Sequence, residues 1–225
     1  MRVSVIIPTL NEAARIVQTL RRVRQAGACE ILVIDGGSDD GTPELAHPLA
    51  DTVLSSARGR ARQMNAGARA ATGDVVLFLH ADTTLPAAFP ALLEQSLRDP
   101  RVVGGRFDVR LDAAGWPFRV IETLMNVRSR WTKIATGDQA IFVRRDIFLA
   151  LGGYPEIPLM EDVELSRRLK RVGEFACLRA RVTTSARRWQ QDGVVRTILL
   201  MWTLRLGYFL GVPPEQLKTF YAETR

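Results

Sequence analysis

The sequence predicts an α/β fold: a mostly parallel, mixed central sheet flanked by helices. Three observations carry that expectation. Strand-like and helix-like segments alternate through the first half of the chain. The apolar runs are continuous rather than alternating, as in strands covered on both faces; Val75-Val76-Leu77-Phe78-Leu79 is the clearest. These runs stop abruptly in polar residues, and in open parallel sheets the crevice outside the strand ends is where ligands sit.

Taken in order, Val3 to Ile7 reads as a first strand, stopped by Pro8. Asn11 or Thr9 can cap a helix to about Ala26, with Ile16, Leu20 and Val23 on one face. Glu30 to Ile34 is a second strand. Thr42 caps a short helix, with Pro43 at its favoured first position. A short strand over 52–54 precedes a helix from Arg60 to Ala71, ended by Gly73. Asp74 to Leu79 is the central strand. This βαβαβαβ order is that of a parallel sheet of nucleotide-binding type. No GxGxxG follows the first strand, which argues against a dinucleotide. Further on, helices are expected over 86–97, 116–131, 146–151, 161–172 and 194–211, and strands over 101–109, 140–143 and 175–178. Pro213-Pro214 stops the long apolar helix before a short final one. Residues 1–193 read as one domain, with 194–225 as a C-terminal helical extension packed on it, at an interface or on a membrane surface.

Composition narrows the class. The 225 residues, 47% of them hydrophobic and 24% charged, suit a globular domain with a sizeable core. No run of 18 uncharged apolar residues exists, so a membrane-spanning helix is not expected. The N-terminal apolar run is too short for a signal peptide. Two cysteines, Cys29 and Cys177, form no metal or redox pattern, so a reduced cytoplasmic setting is the default. The net charge of +7, nearly all from arginine, suits an anionic membrane surface or phosphate-bearing substrates. No nucleic-acid motif accompanies it, and a nucleic-acid partner is not expected.

The polar clusters fall where strands end: Pro8 to Glu12, Asp35 to Asp40, and His80 to Asp82. In a parallel sheet these ends converge on one edge. Asp35, followed by Gly36 and Gly37, can accept hydrogen bonds from a base or ribose. Of Asp39 and Asp40, one is a turn residue, since Asp40-Gly41 is a turn dipeptide. His80 and Asp82 alternate with small Ala81 and so can face one side. Asp82 offers hard oxygens for Mg²⁺ or Mn²⁺ bridging a diphosphate; the alternative is a capping turn. Arg58, Arg60 and Arg62 open a helix, where guanidinium groups, N–H donors and dipole together suit an anion; a solvated basic face is the other reading. Glu161-Asp162 begins a helix, as dipole partners or as a general base. Gly137-Asp138 is either a turn or an acceptor-side contact.

In this order the motifs resemble those of family-2 glycosyltransferases, inverting enzymes of the GT-A fold. Val5-Ile6-Ile7-Pro8-Thr9-Leu10-Asn11-Glu12 looks like their opening motif, and Val33 to Thr42 like the second, usually D-D-G-S-x-D-G-T. Asn65-Ala66-Gly67 resembles the segment before the central strand. His80-Ala81-Asp82 takes the D-x-D place and Glu161-Asp162 the E-D place. The resemblance spans residues 3 to about 172. It implies a nucleotide-sugar donor, often UDP-linked, bound by Pro8, Thr9, Asn11, Glu12, Asp35, Gly36 and Asp39, with Arg58, Arg62 and His80. It implies a metal on Asp82, and Asp162, beside Glu161, as the base for a hydroxyl acceptor. Gly137, Asp138, Arg188 and Trp189 become candidate donor or acceptor contacts. Two positions depart from the pattern: His80 replaces an acid, and Gly36 replaces a second one. With Thr184 to Trp189, these look like a compact bacterial subgroup, some of whose members are labelled for arsenosugar biosynthesis. Arg188-Trp189 resembles the R-W of processive synthases, but companion membrane helices are lacking.

Residues 197–212 are rich in apolar side chains but too charged and short to span a bilayer. Packing on the sheet, a homodimer interface, or a peripheral membrane contact serving a lipid-linked acceptor are the alternatives. The leading expectation is a metal-dependent inverting glycosyltransferase. Its rivals are a non-catalytic nucleotide-sugar-binding scaffold and a nucleotidyltransferase; the latter would want a Gly- and Lys/Arg-rich loop after the first strand, which Pro8 to Glu12 is not.

Overall fold

The computed structural model describes residues 1–223. The first half runs β1 (Val3–Thr9), α1 (Ala13–Ala26), β2 (Glu30–Asp35), α2 (Thr42–Ala46), β3 (Thr52–Ser55), α3 (Arg60–Ala70) and β4 (Val75–Phe78). The second runs β5 (Thr83–Thr84), α4 (Phe89–Ser96), β6 (Val102–Leu111), α5 (Trp116–Thr132), β7 (Phe142–Arg144), α6 (Arg145–Ala150), α7 (Glu161–Val172) and β8 (Glu174–Thr184). It closes with α8 (Arg187–Asp192), α9 (Val194–Phe209) and α10 (Pro214–Glu223).

All the strands join one sheet in the order β3-β2-β1-β4-β7-β6-β8-β5. The expected parallel half is present: β1 pairs in parallel with β2 and β4, and β2 with β3. β7 inserts antiparallel between β4 and β6, and β8 runs parallel to β6. The sheet is therefore mixed. Its central strands are buried on both faces, which is why their sequences lack alternation. Val5 and Ile7 of β1 pack on one side with Ile16 and Leu20 of α1 and Phe89 of α4. Ile6, between them, packs on the other with Met64 and Ala68 of α3 and Leu165 and Leu169 of α7.

Several sequence expectations need correction. β1 does not stop at Pro8 but continues to Thr9. Pro8 has the parity of Ile6 and faces β4, whose pairing with β1 ends at Ile6↔Phe78, so its missing N–H breaks no ladder bond. Neither Thr9 nor Asn11 caps α1; Glu12 takes the cap position without a side-chain bond. The Asp40 carboxylate instead accepts from Ala13 N at 2.9 Å, across from the next loop. Gly41, at φ 84°, replaces Thr42 as the cap of α2. α4 starts at Phe89, after Ala88 at φ 54°, rather than near Pro86. β8 is longer than 175–178, and α8 was not expected. β4 ends at Phe78, and Thr83 N donates to His80 O at 3.1 Å, so residues 80–83 form a turn. Strand alternation therefore does not set the directions of His80 and Asp82. Ala81 between them faces the core, and its carbonyl accepts from the Thr19 hydroxyl.

α5 is attached to the sheet in an unusual way. It buries Glu122, Asn126 and Ser129 together with Ile121. Asn126 accepts from Val109 N at 2.8 Å and donates to Val109 O at 3.0 Å, and Glu122 accepts from Leu111 N at 2.7 Å. Arg106 of β6, fully buried, donates to Ser129 Oγ at 2.9 Å and pairs with Asp108, which also pairs with Arg130. Polar side chains thus satisfy the buried strand backbone and ions as burial demands.

Gly67 of α3 lies where a Cβ would stand 2.5 Å from Ile6 Cγ2 and 3.0 Å from Ile34 Cγ1. Alanine gains about 1 kcal/mol of helix propensity, but overpacking a filled core costs roughly 1–3 kcal/mol. Gly67→Ala is expected to lower stability by about 1 kcal/mol or more in urea unfolding. Equal or greater stability would show that α3 packs less tightly on the sheet than this contact requires.

Candidate active site

The site lies beyond the C-terminal ends of β1, β2 and β4, where their loops meet. Asp35 organises the first part. It is 3% exposed, and a carboxylate in that position needs donors. Its Oδ2 accepts from Gly37 N at 2.9 Å and Ser38 N at 2.8 Å; Oδ1 accepts from Thr9 Oγ1 at 3.2 Å and from the Ser38 hydroxyl. Burial opposes its charge, but the bonds from Ser38, Gly37 and Thr9 outweigh it and hold the carboxyl below its ordinary range. A carboxylate has about four acceptor positions, and Asp35 uses them on its own loop. A nucleoside bonding directly to Asp35, as expected from its place at the strand end, would have to displace one of these donors.

The loops after β1 and β2 are stapled together. Asn11, at φ 55°, donates its N–H to Ser38 Oγ at 2.9 Å, and its side-chain oxygen accepts from Asp39 N at 3.1 Å. Glu12 N donates to Thr42 Oγ1 at 2.8 Å, while the Glu12 carboxylate pairs with Arg15. Asp40 is the turn residue; Asp39 stays exposed. Gln63 of α3 ties both strands from beneath, its amide donating to Thr9 O and Ile34 O at 2.8 Å each. A Cβ on Gly36 would stand 3.1 Å from that amide. The sequence reading missed Gln63; a buried glutamine between Ala61 and Ala68 was its signal.

The second part of the site is a narrow cleft lined by Arg60, His80, Gly137, Tyr154, Glu161 and Asp162, among others. Glu161 is 3% exposed, and its Oε1 lies 2.8 Å from Arg60 Nε. Burial pushes the Glu161 carboxyl up, and Arg60 opposes that rise. Asp162 is half-buried, with Oδ2 accepting from Gly137 N at 2.9 Å and Oδ1 from Val163 N at 2.7 Å. His80 sits between Arg60, whose Nη1 is 3.5 Å from Nε2, and Asp138, whose Oδ1 is 3.5 Å from Nδ1. Gly137 lets His80 sit close, since a Cβ there would approach His80 Nε2 to 2.6 Å and the ring would have to shift.

The structure thus brings Glu161, Asp162, His80, Gly137 and Asp138 together, with Arg60 as their cation. Of the other arginines at the start of α3, Arg62 pairs with Glu156 at 3.0 Å, and Arg58 is exposed. Trp189 packs in an apolar cluster with Leu111 and Ile121 instead of lining the cleft, and Arg188 lies in α8. Asn65 proves to be a clamp, exchanging two 2.8 Å bonds with the backbone of Tyr154.

Among the described residues no group of three or more His, Cys, Asp or Glu side chains could enclose a metal. Mg²⁺ and Mn²⁺ at diphosphate sites are held by one or two carboxylates plus substrate oxygens, not by a protein cage. Asp82 fits that mode: it is half-buried, and its Oδ1 is 3.4 Å from the Thr83 hydroxyl. His80 does not fit as a ligand, because a guanidinium faces one ring nitrogen and a carboxylate the other.

A mixed sheet with a polar edge, a stapled loop pair and a carboxylate-led helix is the GT-A architecture of sugar-transferring enzymes. Staphylococcus aureus TarS in complex with UDP superimposes with a TM-score of 0.67, at 17% identity, over 82% of this chain and 60% of that one. Glucosyl-3-phosphoglycerate synthase from Mycobacterium tuberculosis, in complex with Mn²⁺, UDP and glucosyl-3-phosphoglycerate, gives 0.59 at 19% identity, over 80% and 70%. The sequence is more specific: residues 4–152 match the model of glycosyl transferase family 2, and the chain belongs to that family. It is 32% identical over 158 residues to an undecaprenyl-phosphate 4-deoxy-4-formamido-L-arabinose transferase of Pseudomonas paraeruginosa, covering 63% of this chain and 46% of the relative. The probable glycosyltransferase YdaM of Bacillus subtilis is 28% identical over 237 residues, covering 93% of this chain and 55% of the relative. The chain therefore spans about half the length of these curated relatives.

Asp35→Asn keeps the shape of the side chain but turns an N–H₂ toward donors. The variant is expected to lose about 2 kcal/mol at neutral pH. The folded carboxyl lies below its ordinary value, so its stabilisation is present above about pH 4 and is lost as pH falls through the folded value. In denaturant titrations, the gap between the two proteins should narrow below pH 4. A gap that is constant with pH would deny the charge this role.

Proposed function

We propose that this enzyme moves a sugar from a UDP-linked donor to an acceptor hydroxyl with inversion, and that Asp162 is the base. The observation that carries the reading is the setting of Asp162. It is partly open to the cleft, and two backbone N–H groups fix its carboxylate. Neighbouring Glu161 is instead buried against Arg60. A base must reach the acceptor; Asp162 is open to do so, and Glu161 is committed to holding the helix start.

In the proposed step the acceptor oxygen attacks the anomeric carbon from the face opposite the diphosphate. The bond from that carbon to the diphosphate oxygen breaks, the nucleotide diphosphate leaves with the electron pair, and the acceptor proton passes to Asp162. Pro8, Thr9, Asn11, Glu12, Gly36 and Asp39 line the nucleoside side, on a loop pair that Asp35 keeps in shape. His80 and Arg60 take the diphosphate side, where two nitrogen-bearing side chains replace the usual acid. A Mg²⁺ or Mn²⁺ ion held by Asp82 would supply positive charge to the leaving diphosphate. The solved neighbours with UDP and with UDP plus Mn²⁺ support the donor class.

The acceptor is carried on a lipid at a membrane surface. Two observations support this. The Pseudomonas relative acts on undecaprenyl-phosphate. In addition, α9 exposes Val195, Leu199, Trp202, Leu206 and Phe209 along one stripe. No described helix is long and apolar enough to cross a membrane, so the contact proposed is peripheral. Cys29 and Cys177 are unpaired, which suits the cytoplasmic side.

Release of UDP from UDP-sugars tests the chemistry without knowledge of the acceptor, because water can substitute for it. Asp162→Asn should cut turnover by about a hundredfold or more while calorimetry shows unchanged UDP binding. Asp82→Ala should weaken UDP binding only when Mn²⁺ is present. Wild-type turnover in Asp162→Asn would remove it as the base.

A further inference from the structure

α5 is amphipathic in the reverse sense. Its buried residues include Glu122, Asn126 and Ser129, while Trp116, Val120, Leu124, Val127 and Trp131 stand on its open side. Trp116 is 77% exposed and Trp131 86%. Their spacing of four, four, three and four residues makes one continuous stripe. α9 carries the second stripe, and the two helices share an apolar cluster through Ile121 and Ile198. An apolar surface of this kind, with tryptophans at both ends of α5, is unfavourable in water and matches a lipid interface.

Between these helices lies a groove of about 390 Å³. Its walls are apolar, with Met160, Val163, Trp202, Leu206 and Phe209, yet it also holds three arginines: Arg167 of α7, which pairs with Glu164 and lies over the Tyr208 ring, and Arg128 of α5 and Arg205 of α9. Nε and Nη2 of Arg128 are shielded from solvent and have no hydrogen-bond partner. Burial, then repulsion by Arg205, lowers the Arg128 guanidinium to about 10, which leaves it charged at neutral pH. The Asp162 and Asp138 carboxylates act on both guanidinium groups through space, but they leave the two Arg128 donors unmet, and buried donors without a partner are costly unless an anion in the groove takes them. The first turn of α7 divides this groove from the catalytic cleft: Glu161 and Asp162 line the cleft, and Met160 and Val163 line the groove.

We propose that the groove between α5, α7 and α9 is the acceptor site, and that it takes a lipid phosphate, with the phosphate on Arg128 and Arg205 and the chain along the apolar walls. A hydroxyl-bearing head esterified to that phosphate then lies beside Asp162, and the two exposed stripes rest on the membrane that delivers it. This rests on the reading of Asp162 as the acceptor-side base. A second copy of the chain is a poorer occupant, since it would bring the same arginines to the same face. A nucleoside diphosphate is poorer too, because the walls offer it little polar recognition.

The test uses the full chain and vesicles of phosphatidylcholine with or without phosphatidic acid. Wild type should sediment with the phosphatidic acid vesicles at least about tenfold more strongly than with phosphatidylcholine alone, the worth of one charge-assisted hydrogen bond. Arg128→Met and Arg205→Met should each lose that preference while keeping UDP binding. Their melting temperatures should be unchanged or higher, because burial disfavours both charged groups and Arg128 loses two unmet donors. Variants that keep the preference would overturn the proposal. So would variants that melt lower or lose UDP binding, which would make the arginines structural. Inorganic phosphate bound as tightly as the vesicles would remove the lipid, and a dimer in sedimentation with no vesicle binding would assign the face to a second copy. The donor reading stands or falls separately, on whether the wild type binds UDP.

Discussion

A polar group brought to the end of a buried strand must find partners, and most of this site follows from how that demand is met. The carboxylate of Asp35 gathers Thr9, Gly37 and Ser38 around it, which fixes the loop after β2. That loop then holds the one after β1 through Asn11 and the N-terminus of α1 through Asp40. Gln63 closes the set by serving carbonyls near the ends of both strands, those of Thr9 and Ile34. The result is a preorganised polar edge on an apolar sheet, so a nucleotide need not order the loops as it binds.

The same rule shapes the cleft and the groove beside it, with one difference. In the cleft, Glu161 has Arg60, and Asp162 has two backbone donors. In the groove, Arg128 has unmet donors. The two cavities share one wall, the first turn of α7: Glu161 and Asp162 line the cleft, and Met160 and Val163 line the groove. Satisfied ions hold the fold, and among the described residues Arg128 is a shielded cation whose donors are unmet.

Much of this was legible in the sequence. Continuous apolar runs gave the parallel strands, since two buried faces leave no alternation. The clusters at their ends pointed to one edge, and Glu161-Asp162 was placed at the helix start that the structure shows. What stayed hidden depended on partners distant in sequence. Asp40 caps α1 from another loop, and neither Thr9 nor Asn11 does so. Arg60, not Arg58 or Arg62, turns into the cleft because its partner Glu161 lies about a hundred residues away. α5 read as an ordinary helix, and only β6 reveals that its polar side is the buried one. The antiparallel entry of β7 between β4 and β6 was likewise set by tertiary pairing, not by local pattern.

The most direct measurement is calorimetric titration of the wild-type protein with UDP, with and without Mn²⁺. The account predicts saturable binding at one site that tightens with the metal, because Asp82 alone gives a bound cation too few ligands until the diphosphate completes its shell. Absence of UDP binding under both conditions would contradict it and leave the polar edge without the donor assigned to it.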